Sequence, residues 1–266
     1  MAQSENNLTA VLQDTADAIR SKTGSNGLIC PRDFADEILN ISGGTTPELV
    51  SKGDIIFMSG HRYRVLQANA DNTDVELLLL DDEIASIYGN GTTTDFDVDG
   101  ETKQGQKYEG SALDVAMNRF YEALDEDIQE AIIAQDRNQS MYAVSMGEMT
   151  EPDYTIEAFG LTYRYKKKSS VVVGSRNCYA LDMDDIISYL GGTSAYGTDL
   201  NTMFFNCSTQ IPASAWVGSA DFAYSNYALS VSGYSGGVDG YFYYDTDLVR
   251  PAFHLNLSTI SYINVN

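Results

Sequence analysis

The stretch SALDVAMNRFYEAL, residues 111–124, predicts an amphipathic α-helix near the middle of the chain. Ser111 is a favoured N-cap residue, and the acidic side chain of Asp114, three positions later, completes a capping box. Apolar residues recur at helical spacing on one face, at Leu113, Met117, Phe120 and Leu124. The next residues, DEDIQEAII, predict a second short helix with Ile128 and Ile132 facing inward. Helical structure therefore occupies the centre of the main domain.

Strand patterns lie on both sides of these helices. Before them, DIIFMSGHRYRVLQA (residues 54–68) predicts a hairpin that turns at Ser59 and Gly60, and DVELLLLD predicts a buried strand. After them, residues 155–174 have strand patterns. DMDDIISYLGG then predicts a capped helix that ends at Gly191. RPAFHLNLS predicts a last strand with Phe253 and Leu255 on one face. We therefore predict the α+β class, with the two ends of the domain close together.

The first 46 residues predict a separate helical hairpin. NNLTAVLQDTADAIRSKTG and CPRDFADEILNI both carry apolar residues at helical spacing, and SGGTTPE follows as a hinge. Two such short helices cannot bury a core alone. Residues 1–46 are therefore predicted to be an assembly module, or alternatively a hairpin docked on the main domain at residues 49–266.

This N-terminal segment resembles a short motif common in phage tail and tail-fibre proteins. The matching residues are Leu8-Thr9, Ala16-Asp17-Ala18-Ile19-Arg20, Lys22-Thr23-Gly24, Pro31, Phe34-Ala35 and Glu37-Ile38. The resemblance implies a virion protein, made in the bacterial cytoplasm, whose partners are other phage tail proteins. Because phage fibres are commonly trimeric, we expect a homo-oligomer and favour a trimer.

A second resemblance covers about residues 50–262. The helical stretch YEGSALDVAMNRFYEALDEDIQEAI and the closing block AWVGSADFAYSNYALSV…LVRPAFHLNLS look like a C-type-lectin-like domain family of gut bacteria and their phages. Trp216, Ser219, Val249-Arg250-Pro251-Ala252-Phe253 and Leu255 fit that block, whereas Val217, Gly218, Ala220 and Leu248 depart from it. The resemblance implies a C-type-lectin-like fold. It also implies a variable protein of a diversity-generating retroelement, in which a reverse transcriptase rewrites adenines near the 3′ end of the gene.

The composition of residues 217–248 agrees with such rewriting. Randomising the adenines of an AAC codon yields codons that end in C, and these never encode Glu, Lys, Gln, Met or Trp. None of those five types occurs in these 32 residues, whereas they make up 38 of the other 234. The same segment holds eight Phe or Tyr residues among Ser, Gly, Asp, Asn and Thr. Many of these rings are therefore predicted to face outward.

Exposed tyrosine among small polar residues is typical of a binding surface, since the ring gives a large contact area at low entropic cost. Alternation in ALSV predicts that Leu229 and Val231 face the core and that Ser230 and Ser232 face outward. Val238 is also interpreted as structural. The predicted ligand contacts are Asp221, Phe222, Tyr224, Asn226, Tyr227, Ser230, Ser232, Tyr234, Ser235, Asp239, Tyr241, Tyr243, Tyr244 and Asp245. The alternative is a sheet edge with surface tyrosines and no partner.

Metal and catalytic sites are weakly indicated. Asp95, Asp97 and Asp99 have calcium-loop spacing, but the twelfth position is Gln106 where a bidentate Glu is needed. His61 and His254 have no nucleophile motif nearby and are interpreted as surface histidines. We therefore predict no enzyme, no metal and no cofactor.

The net charge of −22 argues against nucleic acid and anionic membranes as partners. No apolar run reaches the roughly 20 residues of a membrane span, and the N-terminus has no secretory signal pattern. The three cysteines are interpreted as reduced thiols. We predict a phage tail-tip adhesin whose variable lectin-like face binds a bacterial surface receptor, either a protein or a glycan. The alternative is a structural virion or cell-surface protein whose lectin-like domain only assembles.

Overall fold

The computed structural model describes residues 49–81, 93–96 and 106–265. The predicted N-terminal module at residues 1–46, together with Cys30, Asp97 and Asp99, lies outside these residues.

Most of the described chain folds into two sheets. The first has seven strands in the order β16-β1-β2-β3-β15-β5, with β9 also paired to β15. Its strands are β1 (Ile55–Met58), β2 (His61–Ala68), β3 (Val75–Leu79), β5 (Ile132–Ile133), β9 (Tyr179–Ala180), β15 (Pro251–Leu255) and β16 (Ile263–Asn264). The hairpin turn predicted at Ser59 and Gly60 is confirmed: both residues have positive φ, at 47° and 82°. That geometry suits a two-residue turn between antiparallel strands.

The second sheet has nine strands in the order β10-β7-β8-β6-β11-β12-β13, and β14 joins β4 to β11. These strands are β4 (Thr93–Asp95), β6 (Gln135–Ser145), β7 (Tyr154–Ala158), β8 (Leu161–Arg176), β10 (Ser194–Tyr196), β11 (Ser214–Asp221), β12 (Tyr227–Ser232), β13 (Gly237–Phe242) and β14 (Thr246–Leu248). The segment predicted to be variable supplies β12, β13 and β14 and the end of β11.

Four α-helices occur among the described residues: α1 (Ala112–Ala123), α2 (Glu126–Ala131), α3 (Met183–Leu190) and α4 (Gly197–Phe205). The predicted N-cap of α1 is confirmed, because the Ser111 hydroxyl accepts a hydrogen bond from the Asp114 backbone N–H at 3.2 Å. The predicted stop of α3 is also confirmed, since Gly191 caps it with φ 77°. No helix in the described part of the chain is long and apolar enough to cross a membrane.

Two hydrophobic cores hold the sheets together. The first contains Phe120 of α1, Trp216 of β11 and Phe253 of β15. The second contains Tyr163 of β8, Leu229 of β12 and residues of α3 and α4. The predicted core positions Trp216, Leu229, Val231, Phe253 and Leu255 are all buried, which confirms them.

The predicted α+β class and C-type-lectin-like fold are wrong. The structure is mostly β, with 44% strand and 20% helix arranged around two sheets. The physical reason is the length of β6 and β8, which pair antiparallel from Gln135↔Arg176 to Ser145↔Arg164 and build a large second sheet. The predicted closeness of the two domain ends is confirmed, because β1 pairs with β16 at Ile56↔Asn264.

Candidate functional site

The candidate site lies on the hairpin of β12 and β13. These strands pair antiparallel from Tyr227↔Phe242 to Ser232↔Gly237. The open end of the hairpin therefore carries the loop before β12 and the loop after β13, both rich in aromatic residues. The closed end, about 20 Å away at the rise of a strand, carries the turn that contains Tyr234.

Several aromatic rings meet at the open end, and four of them are called here the aromatic cluster: Tyr224, Tyr227, Phe242 and Tyr244. Their ring centroids form a continuous chain, with Tyr224 to Tyr227 at 5.2 Å, Tyr227 to Phe242 at 4.7 Å and Phe242 to Tyr244 at 4.9 Å. Tyr224 and Tyr244 are 58% and 55% exposed. The cluster is thus a packed set of rings whose outer faces meet solvent, an arrangement suited to contact with a partner.

The loops that carry the cluster are tied together by their backbones. Tyr227 N–H donates to the Tyr224 carbonyl at 3.1 Å, and Tyr243 N–H donates to the Asn226 carbonyl at 3.1 Å. Asp245 N–H donates to the Phe242 carbonyl at 2.8 Å. The bond from Tyr243 to Asn226 joins the two loops, and the other two bonds close each loop on itself, so the rings are positioned before any partner arrives.

The side chain of Gln106 holds the loop before β12 in place through hydrogen bonds. In the amide orientation that satisfies its neighbours, the two N–H groups of Gln106 Nε2 are shared among the carbonyls of Asp221, Tyr224 and Tyr227, at 2.9, 3.0 and 2.8 Å. Gln106 is itself held in place, because its backbone carbonyl accepts a hydrogen bond from Gln139 Nε2 at 2.5 Å. The loop therefore rests on a side chain from outside the predicted variable segment.

A glycine allows close packing beneath the cluster. A Cβ at Gly240 would lie 2.8 Å from Asp221 Oδ2 and 2.9 Å from the Tyr227 ring. Any larger residue at this position would push the carboxylate or the ring away. Gly240 thus serves the packing of the cluster rather than contact with a partner.

The segment that carries the cluster also carries four carboxylates. Burial raises the pKa of the Asp221, Asp239 and Asp247 carboxyls, and the mutual repulsion of Asp221 and Asp239 raises that of Asp221 further. Residues 217–248 contain four Asp and no Lys or Arg. A nearby cation comes from β8, where Lys168 Nζ lies 5.9 Å from the centroid of the exposed Phe222 ring. The segment that carries the rings is therefore acidic in composition, with a lysine of β8 beside Phe222.

The predicted contact residues fall into three groups. Exposed ones are Phe222, Tyr224, Asn226, Tyr234 and Tyr244, and half-buried ones are Tyr227, Ser235, Asp239, Tyr241, Tyr243 and Asp245. Asp221, Ser230 and Ser232 are buried, with at most 4% of their surface exposed. The open end of the hairpin brings together most of the exposed residues, whereas Tyr234 and Ser235 lie at the closed end.

The predicted outward orientation of Ser230 and Ser232 is wrong, and Asp221 is not a surface contact either. The Ser230 hydroxyl lies 3.1 Å from the Ala215 carbonyl and 2.5 Å from Asp247 Oδ2. Ser232 Oγ accepts from Ser235 N–H at 3.2 Å, and Asp221 Oδ1 accepts from Ala223 N–H at 2.7 Å. These polar atoms satisfy the fold internally.

Sequence reasoning missed Phe242, Gln106 and Lys168. Phe242 belongs to the cluster because it pairs with Tyr227 across the hairpin, a register that the sequence pattern did not fix. A hairpin turn predicted at Tyr234–Gly236 would have placed Phe242 opposite Tyr227. Gln106 and Lys168 are distant in sequence and carry no local signal.

The structure bears on the predicted calcium loop and on His254, which was predicted to lie on the surface. Among the described residues, no group of three or more His, Cys, Asp or Glu could hold a metal ion. Asp95 lies in β4, and the rest of the predicted calcium loop up to residue 105 is outside the described residues. His254 is not a surface histidine: its Nδ1 lies 2.6 Å from Asp74 Oδ1 and its side chain is 12% exposed.

Comparison with known proteins finds one family. The family model described as Domain of unknown function (DUF6273) matches residues 74–257. The matched span runs from the residue before β3 to beyond β15 and includes the whole aromatic cluster. No curated protein and no solved structure matches the chain.

Proposed function

The chain belongs to the family described as a domain of unknown function, DUF6273, and we propose that this member is a phage receptor-binding protein that recognises a bacterial surface ligand. The aromatic cluster is the proposed contact surface. The observation that carries the proposal is the unbroken chain of four rings at the open end of the hairpin, two on the strand ends and two on loops held by hydrogen bonds. Such rings lose little entropy when they bind.

Diversification by a retroelement is part of the proposal. The cluster lies inside residues 217–248, which lack the five residue types that AAC-derived codons cannot encode. The two loops at the open end can change side chains while the strands between them keep the scaffold. A rewritten surface of this kind would let related phages recognise different receptors.

Assembly into a homo-oligomer, with a trimer favoured, is proposed from the phage-tail motif in residues 1–46. Several copies would present several aromatic clusters to one cell, and avidity can then exceed single-site affinity by ~10²–10⁴. Light scattering on the full chain at micromolar concentration tests this, and a monomer would contradict it.

Cell binding tests the proposed contact surface. Fluorescently labelled full-length protein is incubated with intact cells from a panel of bacterial strains, and the bound fluorescence is measured. In the variant Tyr224→Ser/Phe242→Ser/Tyr244→Ser, binding to the responding strain is expected to fall at least about tenfold, because two or more contact rings are lost. Thermal melting of the same variant shows whether it is folded.

The matched control removes three exposed apolar side chains elsewhere, in Phe159→Ser/Val172→Ser/Tyr196→Ser. These residues are 42%, 76% and 62% exposed, so the control loses a comparable surface and should bind normally. Equal loss in both variants, or undiminished binding by the cluster variant, would count against the aromatic cluster. If the parent protein binds no strain, the structural-protein alternative is favoured instead.

A further inference from the structure

A concave site shares no residue with the aromatic cluster. It is a cavity of about 440 Å³ between the first sheet, β6 and helix α3. Six of its lining residues carry the argument: Lys52, Glu76, Arg137, Asp185, Tyr189 and His254. The volume falls within the range of small-molecule sites. No lining residue belongs to residues 217–248, so this chemistry is independent of any rewriting there.

Several charged groups on the cavity wall already have partners within the fold. Arg137 forms an ion pair with Asp185, and the His254 ring contacts the Asp74 carboxylate at 2.6 Å. Lys52 Nζ donates to the Tyr189 carbonyl. Two cations, Lys52 and Arg137, share the wall with two carboxylates, Glu76 and Asp185, so their formal charges balance. The wall therefore has no excess charge of either sign that would attract an ionic ligand.

The same wall offers hydrogen-bonding groups in fixed positions. Arg137 stacks on the Tyr179 ring, with its guanidinium carbon 3.9 Å from the ring centroid. Tyr179 in turn donates its hydroxyl to Glu76 Oε1 at 2.8 Å. Charged side chains held this way keep further donor and acceptor capacity, since a carboxylate has about four lone-pair sites and a guanidinium five N–H groups.

An aromatic ring completes the site. Tyr189 lines the cavity, and Lys52 Nζ lies 4.5 Å from the centroid of its ring. Sugars present hydroxyl groups at their edges and C–H groups on their faces, so they match a wall that combines fixed polar groups with one ring. We propose that this cavity is a second binding site, which takes a neutral, hydroxyl-rich ligand of monosaccharide or disaccharide size.

Histidine NMR provides a direct test, because the chain has two histidines. His254 lines the cavity and His61 does not. Full-length protein labelled at histidine is titrated with D-glucose, D-galactose, N-acetyl-D-glucosamine and maltose. At least one of these should shift the His254 ring signals saturably, with a Kd of about 1 mM as expected for a small ligand. The His61 signals should not move.

Three variants locate the response. Ser188→Phe adds a ring at the cavity wall and should weaken the response at least about tenfold, whereas Thr198→Phe adds a ring at an exposed position of α4 and should leave it unchanged. If Ser188→Phe melts abnormally, Gln67→Ala removes one polar group from the wall and should weaken binding more mildly.

Three results would overturn the inference. These are no saturable shift with any neutral sugar up to about 50 mM, equal shifts of both histidines, or tighter binding of the charged analogues D-glucosamine or D-glucuronate. Cell binding through the aromatic cluster is measured separately, so either proposal can fail without the other.

Discussion

The rings of Phe242 and Tyr244 stack almost parallel, with centroids 4.9 Å apart and planes 13° apart. Tyr244 nevertheless keeps 55% of its surface exposed. One face of each ring thus packs against the other ring and holds it in place, and the remaining exposed surface is available to a partner. A rigid ring pair of this kind reduces the entropy that binding would cost.

Gln106 is predicted to support binding without touching the partner. Gln106→Ala removes the amide that donates to the loop carbonyls. We expect a modest loss of stability, about 1 kcal/mol, and a faster dissociation from cells because the loop is less fixed. Gln210→Ala is the matched control, since Gln210 Nε2 donates to the Tyr234 carbonyl at the closed end. The dissociation rates of both variants from the cell surface are measured, and equal rates would reject a supporting role for Gln106.

Ser230→Ala should destabilise the fold and leave binding unchanged. The hydroxyl is fully buried beside Asp247, and its loss leaves a partly buried carboxylate with fewer partners, at a cost of about 1–3 kcal/mol. Ser225→Ala, at an exposed position, is the control for chemical denaturation and cell binding. A Ser230→Ala protein with parental stability and lost binding would instead place this hydroxyl in the contact surface.

Phe253→Ala should be strongly destabilising. Phe253 is fully buried and lies 5.5 Å from Tyr63 and 6.0 Å from Phe120 between ring centroids. Truncation opens a cavity and should cost about 3–5 kcal/mol. Phe222→Ala, at a ring that is 52% exposed, should change the free energy of unfolding by less than about 1 kcal/mol. Urea unfolding compares the two, and similar losses would contradict the assigned core.

His254 should make stability depend on pH. Burial by itself would lower the pKa of His254, but hydrogen bonds and charge attraction from Glu76 and Asp74 outweigh it and raise that pKa. The stabilisation is therefore full below about pH 6.5, the unfolded value, and is lost as pH rises through the folded value. The side chains of Arg137 and Tyr179 also face the His254 ring.

The measurement for His254 is an NMR pH titration of its ring together with unfolding at several pH values. Asp74→Asn should lower the His254 pKa, and His254→Gln should remove this part of the pH dependence. A His254 pKa at or below about 6.5 in the parent protein would refute the prediction.

Retroelement diversification makes a genetic prediction. A near-copy of the codons for residues 217–248 should lie close to the gene, next to a reverse-transcriptase gene, and should differ almost entirely where the copy has adenine. The differences should concentrate in the loops that carry Phe222, Tyr224 and Tyr244 and spare the buried Leu229 and Val231. Genome sequencing checks this, and a missing copy or differences at random bases would exclude diversification.

Local sequence features correctly predicted much of the framework. Caps, turns and apolar spacing depend on neighbouring residues, so Ser111, Gly191 and the turn at Ser59 and Gly60 were predicted from short windows. The fold class was not, because pairing between β6 and β8 joins residues up to about 40 positions apart, as in Gln135↔Arg176. No short window contains that information.

The sequence by itself determined that residues 217–248 are rich in aromatic and small polar residues and poor in cations. Only the tertiary structure decided which of those side chains face solvent. Alternation predicted one buried and one open face for β12, yet neighbouring Ala228 and Leu229 belong to different hydrophobic cores. Both faces of that strand are covered, so exposure moves to the loops at its ends. Tyr224 and Tyr244 are consequently on the surface, whereas Ser230 is not.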